Sequence, residues 1–356
     1  MFQINEILST SPFSLSKKEK SILFKEALSS LTNHHYQNCT EYKSILKGLN
    51  YNREVSYSIN QFPFLPIRLF KDYKLLSIVD EKIFKIMNSS GTSGQGVSKI
   101  FLDKENASSQ TKVLTKIVST VIGKKRLPML IIDSKSIIKD RKIFKARVAG
   151  IIGFSIFGKD ITYALDDDME LDFKKVNDFL ERHKNKQIII FGFTYIIWKY
   201  FVKHLQNYNL KLQRFDGYFF HGGGWKKLLD EAVDNVQFKK CIQDVTGIKN
   251  VINYYGMVEQ TGSISLECCE GYLHCSIFSD IIIRRNDFSI CDFNEIGLVQ
   301  LISLLPTSYP GHNIISEDLG KIIGIDNCKC GRKGKYFMIH GRAEKAEIRG
   351  CSDTIE

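Results

Sequence analysis

The apolar residues near the start of the chain recur at the spacing of one helix face. Between residues 14 and 49 they stand three or four positions apart, with lysine and glutamate between them. The residues that define this period are Ile22, Leu23, Ala27, Leu28 and Leu31. The period predicts an amphipathic helical hairpin packed on the body of the protein. Pro63 and Pro66 then force an extended connection, because proline disfavours helix at the residue before it.

The middle of the chain alternates between short apolar runs and longer segments of helical spacing. The apolar runs cover residues 129–133, 188–192, 218–220 and 251–255, and the helical segments cover 108–122, 176–186 and 195–208. This alternation predicts an α/β domain with a mainly parallel sheet flanked by helices. Ligands of such sheets bind beyond the carboxyl ends of the strands, and glycines follow most of these runs.

Shorter strands and turn residues replace this pattern after Cys268. Residues 280–284 and 298–304 have strand character, with turn residues between them, which indicates a smaller β-rich subdomain. We therefore expect four segments along the chain. They are an N-terminal helical segment packed on the body (1–80), an α/β core (81–265), a β-rich subdomain (266–340) and a short C-terminal tail (341–356).

Composition adds limits on the class of protein. Of the 356 residues 43% are hydrophobic, which is enough for packed cores, and no apolar run is long enough to span a bilayer. Residues 1–20 contain no apolar core of signal-peptide length, so we expect a cytoplasmic protein. Nine cysteines without such a signal favour reduced thiols over disulfides. The formal charge of +11 comes from dispersed lysines, so we expect no nucleic-acid binding.

A run of glycines and hydroxyl residues, NSSGTSGQG, occupies positions 88–96. Its glycines let the backbone approach an anion, and the hydroxyls of Ser89, Ser90, Thr92 and Ser93 can face phosphate oxygens. The run lacks the Gly-Lys-Ser/Thr ending of a P-loop and the spacing of a dinucleotide fingerprint. It predicts a phosphate-handling loop, and the alternative is a flexible surface linker of the same composition.

The stretch YYGMVEQTG at 254–262 combines an aromatic ring, a glycine turn and a carboxylate at the end of a predicted strand. The ring of Tyr255 can stack on a purine, and the carboxylate of Glu259 can hold Mg²⁺ beside phosphates. The alternative is a buried tyrosine and a solvated glutamate in a tight turn.

Two histidines, His221 and His312, lie beside glycines in predicted ligand-side loops. Either could form a hydrogen bond with a carboxylate. A single loop histidine is more often solvated, so we expect both side chains to be exposed and assign neither a catalytic role.

Four motifs, in this order, resemble those of the adenylate-forming enzymes, the superfamily of acyl- and aryl-CoA ligases. They are the run at 88–96, the stretch at 254–262, SEDLG at 316–320 and GRAE at 341–344. An ordered set is far more specific than any one motif. Within the superfamily the chain looks most like the LuxE-type acyl-protein synthetases. The closer resemblance lies in HGGGWK at 221–226, TSYP at 307–310 and RGC at 349–351.

The resemblance implies the large-domain fold of these enzymes and a site for ATP. The glycine-serine loop would cover the β- and γ-phosphates, Tyr255 would stack on the base, and Asp318 would accept hydrogen bonds from the ribose. Arg342 would donate to the ribose or a phosphate, and Glu259 would bind Mg²⁺. The nucleotide-binding set is then Ser89, Ser90, Gly91, Thr92, Ser93, Gly94, Gly223, Gly224, Tyr255, Gly256, Met257, Asp318 and Arg342.

One position departs from the superfamily pattern. Val258 stands where many members have a threonine before the glutamate, so a hydroxyl contact to the α-phosphate is missing. Thr261 is a candidate replacement.

The resemblance also implies the reaction: a carboxylic acid, most often a fatty acid, is converted to an acyl-adenylate and then transferred to a thiol. In LuxE-type enzymes a cysteine near the C-terminus takes the acyl group, and Cys351 matches that position. Lys345 and Arg349 would favour its thiolate form. The catalytic residues would be Cys351, Glu259 and Arg342, with a partner protein as the final acceptor. We expect the tail 341–356 in place of the mobile lysine-bearing domain of CoA ligases.

Two other functions stay open. The first is an acyl- or aryl-CoA ligase, or an enzyme that loads a carrier protein, in which Cys351 is not acylated. The second is a catalytically silent binding module that keeps the nucleotide fold. For Cys351 itself the alternative is an unreactive thiol in a frayed chain end.

A cluster of cysteines with one histidine suits tetrahedral Zn²⁺. A similar Cys-X-Cys-Gly stretch, with an upstream cysteine and histidine, is seen in ligases that resemble the phenylacetate-CoA type. The expected ligands of a structural Zn²⁺ are Cys268, His274, Cys328 and Cys330, with Cys269 and Cys275 as competitors. The alternative is a set of free buried thiols.

Overall fold

The computed structural model describes residues 2–89, 97–138, 144–212 and 216–343. The helices are α1 (Lys17–Asn38), α2 (Thr40–Gly48), α3 (Leu69–Asp72), α4 (Lys104–Ile122), α5 (Ala146–Ser155), α6 (Phe173–Arg182), α7 (Thr194–Ile196), α8 (Lys203–Asn207) and α9 (Asn235–Thr246). A π-helical stretch, Ile197–Val202, joins α7 to α8. Short 3₁₀ turns occupy Ile4–Ile7, Ile59–Gln61, Asp80–Lys82, Lys135–Ile138, Lys226–Glu231 and Val258–Gln260.

The strands are short except near the end of the chain. They are β1 (Leu65–Pro66), β2 (Lys85–Asn88), β3 (Lys99–Leu102), β4 (Leu127–Ser134), β5 (Phe144–Lys145), β6 (Gly158–Leu165), β7 (Ile188–Phe193), β8 (Gly217–Gly222), β9 (Asn250–Tyr255), β10 (Ser265–Glu267), β11 (Leu273–His274), β12 (Ser279–Arg284), β13 (Gly297–Ser303), β14 (Asn313–Ile325) and β15 (Lys335–Arg342). Among the described residues, no helix combines the length and apolar character that crossing a membrane requires.

The chain forms two compact units. The described residues of the first unit are 2–89, 97–121 and 255–343, and the second unit contains the described residues of 122–254. The described part of the first unit is therefore assembled from three stretches of chain, and the described part of the second falls within the single range 122–254. The boundaries predicted from sequence at 80, 265 and 340 stay a prediction.

The second unit is built on a parallel sheet with the strand order β9-β8-β7-β4-β6. Every residue of β7 is buried, and β4 is buried from its second residue onward, as expected for strands covered on both faces. The mainly parallel sheet predicted from the four apolar runs is confirmed. The fifth strand, β6, escaped sequence analysis because Lys159 and Asp160 are exposed at its start and its burial is incomplete.

The first unit contains an antiparallel sheet with the strand order β12-β13-β14-β15-β11-β10, and β1 pairs with β14 in parallel. β2 and β3 form a separate antiparallel pair in this unit. The β-rich character predicted after Cys268 is confirmed. Its longest strand, the 13 residues of β14, was not predicted, because charged residues interrupt its apolar pattern around Glu317 and Asp318.

The predicted helical hairpin at the N-terminus is confirmed as α1 and α2, but its buried face differs from the predicted one. Ser16 caps α1 in a capping box with Glu19. Ile22 is 59% exposed. The buried face of α1 instead follows Lys20, Phe24, Ala27, Leu28, Leu31, Thr32 and His35. The sequence period was right for the helix, but it could not show that a lysine replaces an isoleucine on the packed side.

Lys20 is buried because it closes an ion cluster between α1 and the sheet. Its Nζ donates to the carbonyl oxygens of Ser276 and Ser279, at 2.9 and 2.8 Å, and lies 3.7 Å from Asp280 Oδ1. Lys335 Nζ lies 3.0 Å from Asp280 Oδ2. Burial would raise the pKa of Asp280, but the two ammonium groups hold it below its ordinary value. One carboxylate thus compensates the buried Lys20 and the partly buried Lys335.

We predict that Asp280→Asn destabilises the protein by about 3 to 5 kcal/mol at neutral pH, because it leaves the buried Lys20 and the partly buried Lys335 without a counter-charge. Since the Asp280 pKa is lowered in the folded state, the loss should shrink as the pH falls through that pKa. Urea unfolding measures both effects. Asp292→Asn is the matched control: its side chain is 91% exposed beside Arg285, and we expect less than about 0.5 kcal/mol. Equal effects of the two substitutions would contradict the assignment.

Candidate active site

Asp318 and Arg342 form a cross-strand pair in the first unit. They are Cα partners on the antiparallel strands β14 and β15, and Arg342 Nε lies 3.2 Å from Asp318 Oδ1. The hydroxyl of Tyr255 donates to the other carboxylate oxygen at 2.7 Å. Burial raises the pKa of Tyr255 well above its ordinary value, and the charge of Asp318 adds to the increase. The phenol therefore stays a hydrogen-bond donor at all physiological pH values.

Glu259 lies in the same unit, on the short turn Val258–Gln260 that follows β9. Its side chain is buried, with 3% of the residue exposed. Burial raises the pKa of its carboxyl, opposed in part by the neighbouring hydroxyl of Ser98. The charge of Asp318 raises this pKa further and that of Arg342 lowers it, so the carboxylates and the guanidinium share one electrostatic site. The solvated glutamate of the alternative interpretation is excluded.

The start of the glycine-serine run lies near this carboxylate, beside Ser98. The Ser89 hydroxyl accepts a hydrogen bond from the Ser98 amide at 2.9 Å, and the Ser89 amide donates to the Ser98 carbonyl at 3.0 Å. These two bonds join the residue that follows β2 to the residue that precedes β3. The predicted loop residues Ser90, Gly91, Thr92, Ser93 and Gly94 lie outside the described residues.

Two further predicted positions, Gly256 and Met257, stand between Tyr255 and the turn. With Tyr255 they line a small cavity of about 10 Å³ in the first unit. The hydroxyl of Thr261, the candidate replacement for the missing threonine, donates to the Val258 carbonyl at 2.9 Å. It is engaged within the turn itself.

The glycines after β8 belong to the second unit. A Cβ at Gly222 would lie 2.6 Å from the ring of Tyr254, so only glycine fits there. Gly223 has φ +83°, in the left-handed region, and both Gly223 and Gly224 are exposed. The turn therefore presents bare backbone at the carboxyl end of a parallel strand, as the sequence predicted.

The expectation that His221 and His312 are solvated is wrong. His221 is 2% exposed and its Nδ1 lies 3.0 Å from the Thr194 hydroxyl. His312 is 1% exposed, with Nε2 3.1 Å from the Thr32 hydroxyl and its ring stacked on His35. Burial lowers the pKa of each to about 3. Both are neutral core histidines. Each lies near a strand end that the sequence predicts as a loop, but other segments of the chain cover it in the fold.

The four expected metal ligands come together at one end of the first unit. The ligand atoms of Cys268, His274, Cys328 and Cys330 all lie within 4.8 Å of one another. Burial raises the pKa of the three thiols and lowers that of His274 to about 4. Of the competing residues, Cys269 is exposed, and Cys275 is buried outside this group.

Sequence analysis missed the residues that hold Glu259. The hydroxyl of Tyr309 donates to the Glu259 carbonyl at 2.7 Å, and Gln260 Nε2 donates to the Gly311 carbonyl at 2.8 Å. The segment TSYP was noted only as a family feature. The signal in the sequence was a tyrosine two residues before a glycine, which permits a close turn. The hydrogen-bond partner of this tyrosine lies about fifty positions upstream, so residue spacing could not identify it.

A family model described as "Acyl-protein synthetase, LuxE" matches residues 3–356. The chain is 24% identical over 336 residues to the long-chain-fatty-acid–luciferin-component ligase of Aliivibrio fischeri, covering 88% of this chain and 83% of that protein.

Solved structures share the fold. An open conformation of 2-hydroxyisobutyryl-CoA ligase, in complex with 2-HIB-AMP and CoA, aligns with a TM-score of 0.70 and 12% identity, covering 95% of this chain and 78% of the ligase. The same ligase in its thioesterification state gives a TM-score of 0.68 and 12% identity, covering 94% and 70%. The predicted fold, that of the large domain of adenylate-forming enzymes, is thereby confirmed.

We predict that Glu259→Gln is more stable than the wild type at alkaline pH. Because the pKa of Glu259 is raised in the folded state, the wild type loses stability as the pH rises through that pKa, and glutamine cannot ionise. The gain is about 1.4 kcal/mol for each unit by which the pKa is raised.

Thermal unfolding from about pH 5 to about pH 8 measures this difference. Glu81→Gln, at an exposed site, is the control and should differ from the wild type by the same amount at every pH. A Glu259→Gln difference that does not change with pH would show that the carboxyl has an ordinary pKa.

Proposed function

The chain belongs to the LuxE family of acyl-protein synthetases, and we propose that it joins a long-chain fatty acid to a thiol with the use of ATP. Membership makes it an adenylate-forming ligase. The fatty-acid class is supported by the name of the similar Aliivibrio fischeri protein. The observation that carries the proposal is the convergence of the Tyr255, Asp318 and Arg342 side chains with the buried Glu259.

In the first half-reaction a carboxylate oxygen of the acid attacks the α-phosphorus of ATP, and pyrophosphate leaves. We propose that Asp318 accepts hydrogen bonds from the ribose hydroxyls, that Arg342 donates to the ribose or a phosphate, and that the ring of Tyr255 lies against the base. Mg²⁺ would neutralise the phosphate charge, and Glu259 would hold it. We also propose the exposed backbone of Gly223 and Gly224 as a nucleotide-binding element of the second unit.

The arrangement around Asp318 supports this assignment. A carboxylate fixed at both oxygens, by Tyr255 and Arg342, keeps its orientation before any ligand binds. Each carboxylate oxygen can accept a second hydrogen bond, so ribose hydroxyls can be added without breaking these contacts. Preorganised acceptors of this kind lower the cost of aligning the two reactants.

In the second half-reaction a thiolate attacks the acyl carbonyl carbon, the bond to the AMP oxygen breaks, and AMP leaves. We propose Cys351, outside the described residues, as the first acceptor and a partner protein as the second. Coenzyme A is the alternative acceptor, in which case Cys351 is not acylated. The structural likeness to a ligase solved with CoA supports this alternative, which predicts no covalent acyl adduct on the protein.

We further propose that the cluster of Cys268, His274, Cys328 and Cys330 holds a structural Zn²⁺. Tetrahedral Zn²⁺ places sulfur atoms about 3.8 Å apart and sulfur and nitrogen about 3.6 Å apart. The Cys268 and Cys328 sulfurs are 3.9 Å apart, and Cys330 Sγ lies 3.4 Å from His274 Nε2. These two distances are close to those of a tetrahedral site, and all four ligand atoms lie within 4.8 Å of one another.

The charge around the cluster also suits zinc. Three thiolates with one divalent cation carry a net charge of −1 (+2 − 3). Arg332 supplies a positive charge beside the cluster. Its NH1 donates to the Leu266 and Glu267 carbonyls. Burial lowers the pKa of its guanidinium, and the charges of the cysteines act in the opposite direction. The ring of His274 is fixed by stacking on Tyr336, at 5.4 Å between centroids. The metal would tie the segment that contains Cys328 and Cys330 to the strand pair β10–β11.

We predict that the wild type and Cys351→Ser both catalyse exchange of pyrophosphate into ATP with a fatty acid, and that only the wild type forms a hydroxylamine-sensitive acyl adduct. Intact-protein mass spectrometry measures the adduct. Glu259→Ala should lose exchange by about 100-fold or more, because charge on the phosphates is no longer compensated by a bound metal. Cys269→Ser is the control for loss of a thiol and should keep both activities.

The other outcomes separate the alternatives. Exchange without any adduct, together with formation of acyl-CoA, would establish the coenzyme A ligase. The absence of exchange with every carboxylic acid, across a panel of fatty and aromatic acids, would support the catalytically silent module.

We predict about one zinc per chain in protein purified without chelator, and less than about a tenth of that in Cys328→Ser. The loss of Cys328 removes one thiolate charge and one of the four ligand positions of the tetrahedron. Cys269→Ser, one residue from Cys268, should keep the full metal content. Elemental analysis and the fall in melting temperature after chelation measure the effect. Equal zinc content in the two variants, or none in the wild type, would reject the site.

A further inference from the structure

Tyr309 is a buried tyrosine whose hydroxyl forms a hydrogen bond with the backbone of Glu259. The side chain is fully buried, and its ring packs edge-on against Phe70 at 6.1 Å between centroids. Its hydroxyl donates to the backbone carbonyl of Glu259 at 2.7 Å. That carbonyl belongs to the short turn Val258–Gln260, where it is buried and would be costly to leave without a donor.

Gly311 allows this contact. A Cβ at residue 311 would lie 2.2 Å from the Tyr309 ring and 3.0 Å from the Glu259 carbonyl oxygen. The amide of Gly311 also donates to the Tyr309 carbonyl at 2.8 Å, so the chain turns back on itself here. The tyrosine ring consequently lies over its own turn and reaches the glutamate backbone.

A second hydrogen bond fixes the other side of the same turn. Gln260 Nε2 donates to the carbonyls of Gly311 and Leu301, at 2.8 and 3.1 Å. The turn is therefore held on both sides of Glu259, by Tyr309 at its own carbonyl and by Gln260 one residue later. The phenol of Tyr309 and the amide of Gln260 are both neutral, so the groups that orient Glu259 do not neutralise its carboxylate.

The segment that carries Tyr309 is itself rigidly anchored. The hydroxyl of Ser308 donates to the Phe101 carbonyl at 2.8 Å and to Asn106 Oδ1 at 2.9 Å. The amide of Ser77 donates to the Ser308 carbonyl at 2.8 Å. Phe101 lies in β3, whose first residue follows Ser98 beside the carboxylate. One anchored segment thus fixes both the backbone of Glu259 and the strand next to its side chain.

We propose that Tyr309 is a positioning residue for Glu259: its hydroxyl fixes the backbone carbonyl and so aims the carboxylate at the divalent cation. The inference rests on the proposed role of Glu259 in binding Mg²⁺. Loss of the hydroxyl leaves the fold and the acid site intact and lets the turn rotate. The requirement for Mg²⁺ then rises, while the affinity for the carboxylic acid is unchanged.

The test compares Tyr309→Phe with Tyr42→Phe. Tyr42 is equally buried, and its hydroxyl contacts His312 at 3.4 Å rather than Glu259, so both variants lose one buried hydroxyl. Mg²⁺-dependent ATP binding, by calorimetry at a series of Mg²⁺ concentrations, needs no knowledge of the acid. We expect the half-saturating Mg²⁺ concentration to rise about 3- to 10-fold in Tyr309→Phe and to stay unchanged in Tyr42→Phe.

A double-variant cycle separates positioning from stability. In a Glu259→Gln background, Tyr309→Phe should raise the Mg²⁺ requirement no further, because the group it aims is gone. An unchanged Mg²⁺ requirement in Tyr309→Phe, equal increases in both tyrosine variants, or a Tyr309→Phe chain that fails to fold while Tyr42→Phe folds would each overturn the proposal. A wild type that binds ATP without any dependence on Mg²⁺ or on Glu259 would instead reject the proposed metal role of Glu259.

Discussion

A carboxylate that is to bind a cation inside a protein must be held firmly without being neutralised, and Glu259, which we propose as the Mg²⁺ ligand, is held in this way within the first unit. Burial raises the free energy of its ionised form, so a lysine or arginine bound directly to it would relieve the cost but would also occupy the place of a metal. The restraint comes instead from the backbone, through Tyr309 at the Glu259 carbonyl and Gln260 at the next residue. The cation of the site, Arg342, is paired with Asp318.

Asp318, unlike Glu259, is oriented by a charged partner as well as by a neutral one. Its partners are a neutral phenol and a guanidinium on the neighbouring strand, so the carboxylate is fixed in direction and keeps lone pairs for further donors. Both carboxylates stand on elements that are paired or clamped on each side, β14 and the turn after β9. Sites built on such elements vary less in geometry than sites on unsupported loops.

Two clusters hold the β-rich part of the first unit by different means. In one, Asp280 compensates Lys20 and Lys335 and ties α1 to the edge of the sheet. In the other, three cysteines and a histidine gather residues from β11 and from the segment between β14 and β15. Each cluster joins stretches of chain that are far apart in sequence. Closing the long loops between them costs conformational entropy, so apolar contact alone would bring these stretches together at a high cost.

The sequence by itself determined the elements whose signal is local. Uninterrupted apolar runs gave the buried parallel strands, a three-to-four spacing gave α1 and α2, and four ordered motifs gave the adenylate-forming family. The grouping of Cys268, His274, Cys328 and Cys330, which we propose as zinc ligands, could also be predicted, because few residue types bind zinc and these four are concentrated in two short stretches. Strand β6 was not, because its exposed charges hide its period.

Only the tertiary structure decided which polar groups are buried and what they contact. Lys20, His221 and His312 have the sequence context of surface residues, yet each is enclosed by chain segments remote in sequence. The bond from Tyr309 to Glu259 spans fifty positions and depends on a glycine that lets the ring fold back over its own turn. Spacing along a chain encodes the period of helices and strands, whereas burial and long-range hydrogen bonds arise when those elements pack, so no local pattern carries them.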